Sequence, residues 1–588
     1  MQSRADMPPE TDRIAAGRAE LRAARRRSRG LYWAVGLFSV FANLLMLTGP
    51  IYMLQVYDRV LSSRSVETLI ALSALVAFLY TVMAVLDHAR GRIMARVGAR
   101  FQATLDRRVF DAVMRRAALG HDHLSATGLR DLESVQRLLT APVLMALFDM
   151  PWVPVFIAGI WIFHPWLGAL AAAGGVLLIG VTMLNQWATG GPARQAARAT
   201  LQADTMSDRL RAEAEMIEAM GLRGAAFDRW QDTRGAALRE QIRAADLGGS
   251  FTSVSRALRL LLQSAMLGLG ALLVLRGEVT PGAMIAGSIL LGRALAPVEA
   301  AIGGWPLVQR AARGWQNLAQ LLGAVPPELP RTALPRPAAR LDVRGLTVVP
   351  PGEGTPALRG VGFAVEPGQA LGIIGPSGAG KSTLARALTG VWPPVAGQIR
   401  LDGAALDHYE PAMLGTLIGY LPQRVQLFDG TIAANIARLT AEPDAAEVVR
   451  AARRADAHEM ILRFPDGYDT QVSASGGRLS GGEMQRIGLA RAMYGDPVIV
   501  VLDEPNSNLD NAGSEAVNRA IRGLKSAGRA VVVVAHRPAV IRECDLLLML
   551  EQGQVRAFGP RDEVLRKVVS NHDALVGAED ARPQGGVQ

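Results

Sequence analysis

Six long apolar blocks constrain this chain more than any other feature of its sequence. Because an α-helix rises about 1.5 Å per residue, about 20 apolar residues cross the hydrocarbon core of a bilayer. The blocks therefore predict six membrane spans, preceded by an Arg-rich arm at residues 1–30. They run from Leu31 to Leu54, from Thr68 to Leu86, twice between Pro142 and Leu184, and twice between Ala257 and Trp305.

The arginines between these blocks predict how the chain is oriented. Between the second and third blocks lie ten arginines, and residues 194–243, between the fourth and fifth, hold nine, whereas the opposite side holds only Arg59, Arg64 and Arg276. Positively charged loops stay in the cytoplasm, so we expect both chain ends there. The formal net charge of +10 is spread between apolar blocks. This spread favours a lipid bilayer and excludes a nucleic acid as the partner.

A few charged residues fall at the ends of the blocks or inside them. Asp58 and Arg59 follow shortly after the first block, and two interpretations are open: interfacial anchoring, with Asp58 paired to Arg59 or Arg64, or the lining of a translocation path. Asp149 and Arg293 lie deeper, where charged groups are costly and face a bundle interior or water. They are candidates for a path or for ordinary pairs between helices.

The second half of the chain predicts a different architecture. Residues 323–340 are rich in proline, which prevents a continuous helix and indicates a linker after a membrane domain at 31–322. From residue 341 to 573, short β-rich runs alternate with helical stretches, which is typical of an α/β domain. Residues 574–588 are expected to form a flexible tail.

A phosphate-binding motif opens this second domain. The apolar strand Leu371–Ile374 leads into GPSGAGKST and then a helix, which is the context that a P-loop requires. Lys381 would reach the β- and γ-phosphates of a nucleotide, and the Ser382 hydroxyl would bind Mg²⁺. The candidate nucleotide-binding residues are Gly375, Ser377, Gly378, Gly380, Lys381, Ser382 and Thr383.

Two more apolar strands end in residues that suit catalysis. The strand Val498–Leu502 ends in Asp503 and Glu504. Asp503 can hold Mg²⁺ and Glu504 can orient or deprotonate an attacking water, although a solvated acidic pair is the alternative. His536 follows the strand Ala530–Ala535, where a lone histidine is either structural or catalytic.

The segment LSGGEMQR, from Leu479 to Arg486, resembles the signature of ATP-binding cassette (ABC) proteins. Gln423 then resembles the family's Q-loop glutamine, Ser507 to Asp510 its D-loop, and His536 its switch histidine. The resemblance implies ATP as the nucleotide and a catalytic set of Glu504, His536, Gln423 and Lys381, with Ser382, Gln423 and Asp503 as the Mg²⁺ ligands.

The same resemblance implies that the chain works as a homodimer. In ABC proteins the signature contacts the γ-phosphate of an ATP held by the opposing cassette, which here assigns that role to Ser480, Gly481 and Gly482. One departure concerns the base. ABC cassettes usually stack adenine on an aromatic residue, but this region reads Val348-Val349-Pro350-Pro351. We therefore expect weak discrimination between ATP and GTP.

Three segments, two of them in the membrane half of the chain, indicate which group of ABC proteins the chain resembles. GPIYMLQVYDRVL after the first block, EAEMIEAMGLRGAAFDRW in the second basic loop, and SNLD in the D-loop resemble the permease/ATPase of type I secretion systems, the PrtD-type alkaline-protease and haemolysin exporter family. In this family six spans precede one cassette, and the cytoplasmic segments 121–132 and 213–222 stand where exporters place coupling helices.

The resemblance implies export of unfolded proteins with C-terminal signals from the bacterial inner membrane. It also implies a periplasmic membrane fusion protein and a TolC-like outer-membrane channel as partners. Two rival functions share the ATPase motifs. One is an ABC exporter of lipids or small hydrophobic molecules, and the other is a non-transport ABC ATPase or sensor, which the six spans oppose.

Overall fold

The computed structural model describes residues 9–120, 122–327, 331, 334–473, 479–507, 509–535 and 538–568. These residues form two compact units. A helical unit comprises residues 9–117 and 121–327, and the second unit is built mainly from residue 328 onward.

The helical unit contains twelve α-helices among the described residues, with a π-helical turn at Val56–Val60 and a 3₁₀ turn at Met150–Trp152. The α-helices are α1 (Glu10–Arg26), α2 (Arg29–Met46), α3 (Thr48–Gln55), α4 (Leu61–Ser63), α5 (Val66–Ala118), α6 (His123–Thr140), α7 (Pro142–Asp149), α8 (Val153–Phe163), α9 (Pro165–Ala212), α10 (Ala214–Ala219), α11 (Arg223–Leu275) and α12 (Pro281–Ala324).

Six stretches of this unit are long and apolar enough to span a membrane, as the sequence predicts. They are Arg29–Ser63, Val66–Ala118, Pro142–Phe163, Pro165–Ala212, Arg223–Leu275 and Pro281–Ala324. Four of them have 44 to 53 residues, which is about twice what a bilayer requires. The basic loops are therefore largely continuations of the spans, as their composition also predicts.

Two of the charged residues inside the apolar blocks have partners on other helices. Asp149, at the end of α7, accepts two hydrogen bonds from Arg90 of α5, each 3.1 Å long, and one of 2.7 Å from Asn43 of α2. Arg90 and Asn43 are buried. Of the two interpretations of Asp149, the structure supports pairing between helices. Asp58 hydrogen-bonds the start of α12, and the predicted pairs with Arg59 or Arg64 are not found among the described contacts.

The second unit is an α/β structure. Its strands are β1 (Leu341–Val348), β2 (Leu358–Val365), β3 (Ala370–Ile374), β4 (Ala396–Leu401), β5 (Ala404–Ala405), β6 (Ile418–Leu421), β7 (Gly430–Thr431), β8 (Gln471–Val472), β9 (Ile499–Asp503), β10 (Ala530–Val534), β11 (Leu546–Glu551) and β12 (Gln554–Pro560). Its helices are α13 (Lys381–Leu388), α14 (Pro411–Leu417), α15 (Ile432–Ile436), α16 (Ala445–Arg454), α17 (His458–Ile461), α18 (Gly481–Met493), α19 (Asn511–Ser526), α20 (Pro538–Ile541) and α21 (Arg561–Val568).

A six-stranded sheet in the order β12-β11-β3-β10-β9-β6 forms the centre of this unit. Its strands are parallel except for β12 at one edge. Strands β9 and β10 are fully buried and consist mostly of valine, isoleucine and leucine, as expected where both faces of a parallel sheet are covered. A four-stranded antiparallel sheet, β2-β1-β4-β5, packs its own apolar face into the same core.

Candidate functional site

The residues singled out by the sequence gather at one edge of the central sheet. Strands β3, β10, β9 and β6 lie side by side and run parallel. Their carboxyl ends therefore open onto the same edge, which is where open α/β sheets bind ligands. The P-loop follows β3, Glu504 follows β9, and Gln423 comes two residues after β6. His536 follows β10 in the sequence but lies outside the described residues.

The P-loop joins β3 to α13 in the conformation that its glycines allow. Gly375 has a φ of +148°, and a Cβ there would overlap the Leu550 carbonyl oxygen, so only glycine fits. Lys381 is buried, and its Nζ donates hydrogen bonds of 2.9 and 2.8 Å to the carbonyl oxygens of Gly375 and Pro376. Burial lowers the pKa of Lys381, against the opposing effect of Glu504 and Asp503. The ammonium thus lies over the loop that would cradle phosphates.

The remaining P-loop residues differ in exposure. Ser377 and Gly378 are exposed, whereas Gly380, Ser382 and Thr383 are half-buried. Helix α13 begins at Lys381, so its first backbone N–H groups point toward the loop. A helix amino end and a glycine-rich turn together form an anion-binding site. The geometry therefore suits the phosphates of a nucleotide.

Asp503 and Ser382 are the pair that could hold a metal ion. The Ser382 Oγ lies 3.5 Å from Asp503 Oδ1. Asp503 is 2 % exposed and, within the described part of the chain, forms no ion pair with a lysine or arginine. Burial raises the pKa of Asp503, whereas the Ser382 hydroxyl and the charges of Arg386 and Lys381 lower it. A buried carboxylate beside a hydroxyl offers the hard oxygen ligands that Mg²⁺ prefers.

Glu504 stands next to this pair in an unusual backbone conformation. Its φ is +49°, in the left-handed region, where a non-glycine residue is uncommon and strained. Its N–H donates to the Val534 carbonyl oxygen at 3.0 Å, which fixes the turn against β10. Gln423 Nε2 donates to Glu504 Oε2 at 3.0 Å. The structure thus joins two residues that are 81 positions apart in the sequence.

A small cavity of about 60 Å³ adjoins Glu504, lined by residues 504–507 together with Val534, Ala535 and Val540. Asn506 lines it with a buried side chain whose Oδ1 and Nδ2 have no hydrogen-bond partner in the described part of the chain. A cavity of this size can hold a water molecule where such polar groups line part of its wall. Sequence reasoning missed Asn506, because its burial follows from the packing of the turn after β9. The only signal was its place directly after Asp503-Glu504-Pro505.

The signature segment starts helix α18. Ser480 is the amino-terminal cap: its Oγ accepts a hydrogen bond of 3.3 Å from the Glu483 N–H, and the Glu483 carboxylate accepts one of 2.7 Å from the Ser480 N–H. This reciprocal capping box defines the start of the helix. Ser480 and Gly481 are exposed and Gly482 is half-buried. The capped helix end is therefore accessible to a ligand that does not belong to the same P-loop.

The region expected to meet a nucleotide base contains no aromatic side chain. Strand β1 ends at Val348, which is buried together with Pro350, while Val349 and Pro351 are half-buried. Aliphatic side chains give a base apolar contact but not the stacking of two ring systems.

Comparison with known protein families agrees with these two units. Residues 32–296 match the model of the ABC transporter transmembrane region, and residues 358–507 match the model of the ABC transporter. The first range covers five of the predicted spans and the start of the sixth. The second range runs from β2 through the P-loop, Gln423, the signature segment and the acidic pair.

Individual relatives match the chain along nearly all of its length. The type I secretion system ATP-binding protein PrsD of Rhizobium meliloti is 43% identical over 554 residues, which covers 94% of this chain and 95% of that protein. The cyclolysin secretion/processing ATP-binding protein CyaB of Bordetella pertussis is 29% identical over 555 residues, covering 92% of this chain and 76% of CyaB. Among solved structures, a bacterial Atm1-family ABC exporter with ATP bound has the same fold, with a TM-score of 0.77 at 22% identity over 95% of this chain and 99% of the other.

Proposed function

Because the chain belongs to the ABC transporter family, as a multi-pass membrane protein with an ATP-binding domain, we propose that it is the inner-membrane permease and ATPase of a type I secretion system. It exports unfolded proteins that carry C-terminal secretion signals. The observation that carries this proposal is the 43% identity to PrsD along almost the whole of both chains. The similarity therefore includes the membrane spans, where an exporter meets its cargo.

The nucleotide site supports hydrolysis of ATP. The P-loop N–H groups and Lys381 hold the phosphates, and Ser382 and Asp503, with Gln423, hold Mg²⁺. When bound, Mg²⁺ neutralises charge that develops on the transferred phosphoryl group. Glu504 orients and deprotonates the attacking water, and Gln423 fixes the Glu504 carboxylate through the hydrogen bond of 3.0 Å. The cavity at Asn506 provides room for water beside this carboxylate.

A second copy of the chain completes the site. Ser480, Gly481 and Gly482 belong to an accessible helix end, and a helix amino end favours an anionic group. We assign to these residues the γ-phosphate of an ATP bound by the partner copy. His536, which follows β10 in the sequence, is assigned to the ATP that its own P-loop binds, together with Glu504 and Gln423. The active exporter is accordingly a homodimer, with two cassettes and twelve spans.

The orientation of the chain follows from its arginines. Residues 90–137 and 194–243 carry nineteen arginines between spans, and such loops remain cytoplasmic. Both termini and the ATPase domain are then on the cytoplasmic side. The extracytoplasmic turns meet a periplasmic membrane fusion protein, which connects the exporter to a TolC-like outer-membrane channel.

The experiment compares secreted proteins in cells that carry the wild type or Glu504→Gln. The substitution keeps the side-chain shape but removes the carboxylate base, so we expect ATP binding with hydrolysis reduced at least about 100-fold. Mass spectrometry of culture supernatants should show one or a few proteins missing from the Glu504→Gln culture and retained in its cells. Glu551→Gln, on β11, is the matched control and should secrete normally.

An unchanged supernatant, with the variant shown to be inactive in hydrolysis and candidate cargo shown to be expressed, would contradict protein secretion. Altered lipid or small-molecule content of the cells would then assign the exporter to the rival function.

A further inference from the structure

Arg293 lies near the centre of the sixth span without an acidic partner. It is 12 residues beyond Pro281, the first residue of α12, and so about 18 Å along the helix. A hydrocarbon core is about 30 Å thick, which places this guanidinium near the middle of the bilayer. Arg293 is half-buried, and the described part of the chain provides no ion pair or hydrogen bond for it. Its guanidinium group offers five N–H donors and no acceptor.

Helix α12 does not present this residue to lipid. The described chain exposes large apolar side chains on the other long spans, such as Phe78 of α5, Met183 of α9 and Leu261 of α11. Between residues 281 and 324 no large apolar side chain is exposed. The exposed positions that follow Arg293 at helical spacing are Ala296 and Ala300. This face of α12 therefore borders water or protein, which is where charged residues in spans are found.

Helix α11 adds polar side chains at matching depths. Gln263 is 12 residues before Leu275, the last residue of α11, and thus about 18 Å from that end. Its Nε2 lies 3.8 Å from the position that a Cβ of Gly292 would take. About 24 Å from the same end of α11, Arg259 forms an ion pair of 2.8 Å with Glu299 of α12.

The charges on these two helices do not balance. Glu299 neutralises Arg259, which leaves Arg293 and the exposed Arg256 without a carboxylate in the described chain. A cation in a water-lined, low-dielectric passage attracts anions more strongly than one in bulk solvent. An unfolded polypeptide carries its anions as aspartate and glutamate side chains, which guanidinium groups bind with charge-assisted hydrogen bonds.

We propose that Arg293, with Arg256 nearer the cytoplasm and Gln263 beside it, forms a site that binds acidic segments of the unfolded cargo during export. This assignment rests on the proposed function and specifies that the export path binds acidic segments of the cargo. The small residues Ala296 and Ala300 leave space for a chain beside the guanidinium, and a second copy would contribute a second Arg293 to the same path.

The test measures binding of fluorescent Gly-Asp, Gly-Asn and Gly-Lys repeat peptides of equal length to the full exporter in phosphatidylcholine nanodiscs without ATP. We expect the wild type to prefer the Gly-Asp peptide. Arg293→Gln should weaken that binding about tenfold, whereas Arg293→Lys keeps the charge but loses the planar guanidinium and should fall between the wild type and Arg293→Gln. Arg293→Glu should prefer the Gly-Lys peptide. Arg276→Gln, an exposed arginine outside the span, should bind as the wild type does.

Three results would overturn the assignment. They are equal binding of the Gly-Asp and Gly-Asn peptides by the wild type, an unchanged acid preference in a folded Arg293→Gln exporter, and displacement of the Gly-Asp peptide by phosphatidylglycerol, which would give the site to a lipid headgroup. The supernatant experiment with Glu504→Gln is independent of these results. If Glu504→Gln abolishes secretion but the wild type shows no preference for the Gly-Asp peptide, the Arg293 site is contradicted and protein export is not. If secretion is unchanged in Glu504→Gln but the wild type prefers the Gly-Asp peptide, acid binding at Arg293 is supported and protein export is contradicted.

Discussion

Asp58 caps the amino end of α12, where its Oδ1 accepts a hydrogen bond of 2.9 Å from the Gly282 N–H. Its Oδ2 accepts one of 2.6 Å from Thr280 Oγ1. A Cβ on Gly282 would lie between 2.5 and 2.8 Å from the carboxylate atoms, so the Asp58 side chain in this position leaves no room for a larger residue at position 282. Asp58 lies in the π-helical turn Val56–Val60, which links the end of the first span to the start of the sixth.

Replacing Asp58 should therefore destabilise the contact between the end of the first span and the start of α12. Asp58→Ala leaves the Gly282 N–H without its acceptor and should cost about 1 kcal/mol. Asp58→Asn keeps an acceptor oxygen and should cost less. Gly282→Ala should be harmful in the wild type, where it meets the carboxylate, but much less so combined with Asp58→Ala. Thermal denaturation of the four exporters in detergent gives this double-mutant cycle. Strictly additive effects would show that the two residues do not interact.

The Arg90–Asp149 pair predicts a larger effect. Asp149→Ala leaves the buried Arg90 guanidinium with a single ion pair, of 3.3 Å to the more exposed Asp87, and we expect a loss on the order of 2 kcal/mol in stability. Arg90→Met combined with Asp149→Leu removes both charges and should be less harmful than Asp149→Ala alone. The control is Asp208→Ala, whose partner Arg211 is 76% exposed, with an expected effect within about 0.5 kcal/mol. Equal denaturation temperatures for Asp149→Ala and Asp208→Ala would contradict the prediction.

The lack of an aromatic side chain near the expected position of the base can be tested by comparing ATP and GTP as substrates. Val349 and Pro351 offer a base only aliphatic contact, so we expect kcat/KM for ATP and GTP to agree within about threefold. Val349→Tyr supplies a ring and should lower the KM for ATP. Steady-state hydrolysis by the purified exporter with both nucleotides measures these values. A strong preference of the wild type for ATP would show that other groups recognise adenine.

Cys544 provides a test based on pH. Burial raises the pKa of its thiol from 9.0 to about 12, so the folded protein keeps the thiol protonated at pH 8. The thiolate is the reactive form. A maleimide should therefore label Cys544 very slowly in the native exporter and rapidly after unfolding in SDS. Because the folded pKa exceeds the unfolded pKa, the contribution of this group to stability is complete below about pH 9 and is lost as the pH rises toward 12. Rapid native labelling at pH 8 would contradict the buried position.

Local patterns in the sequence account for what could be predicted about the fold. The apolar blocks predicted six spans, and the P-loop predicted a strand, a turn and a helix, because hydrophobic length and glycine positions act on neighbouring residues. The order of motifs led to the ABC family, which the comparisons confirm. The predicted strands ending at Ile374 and near Asp503 agree with β3 and β9 to within a residue. The catalytic roles of Glu504, Gln423 and His536 stay predictions.

The sequence by itself determined the number of spans, the class of each domain and the residue types available for nucleotide chemistry. Only the tertiary structure decided which polar groups meet. Asp58 pairs with Gly282, 224 residues away, and Gln423 with Glu504, 81 residues away. Such pairs depend on how helices and strands pack, since a side chain that could reach several partners takes the one that packing brings within hydrogen-bond distance. The same packing leaves Arg293 without a partner inside the described chain, a condition that no local pattern reveals.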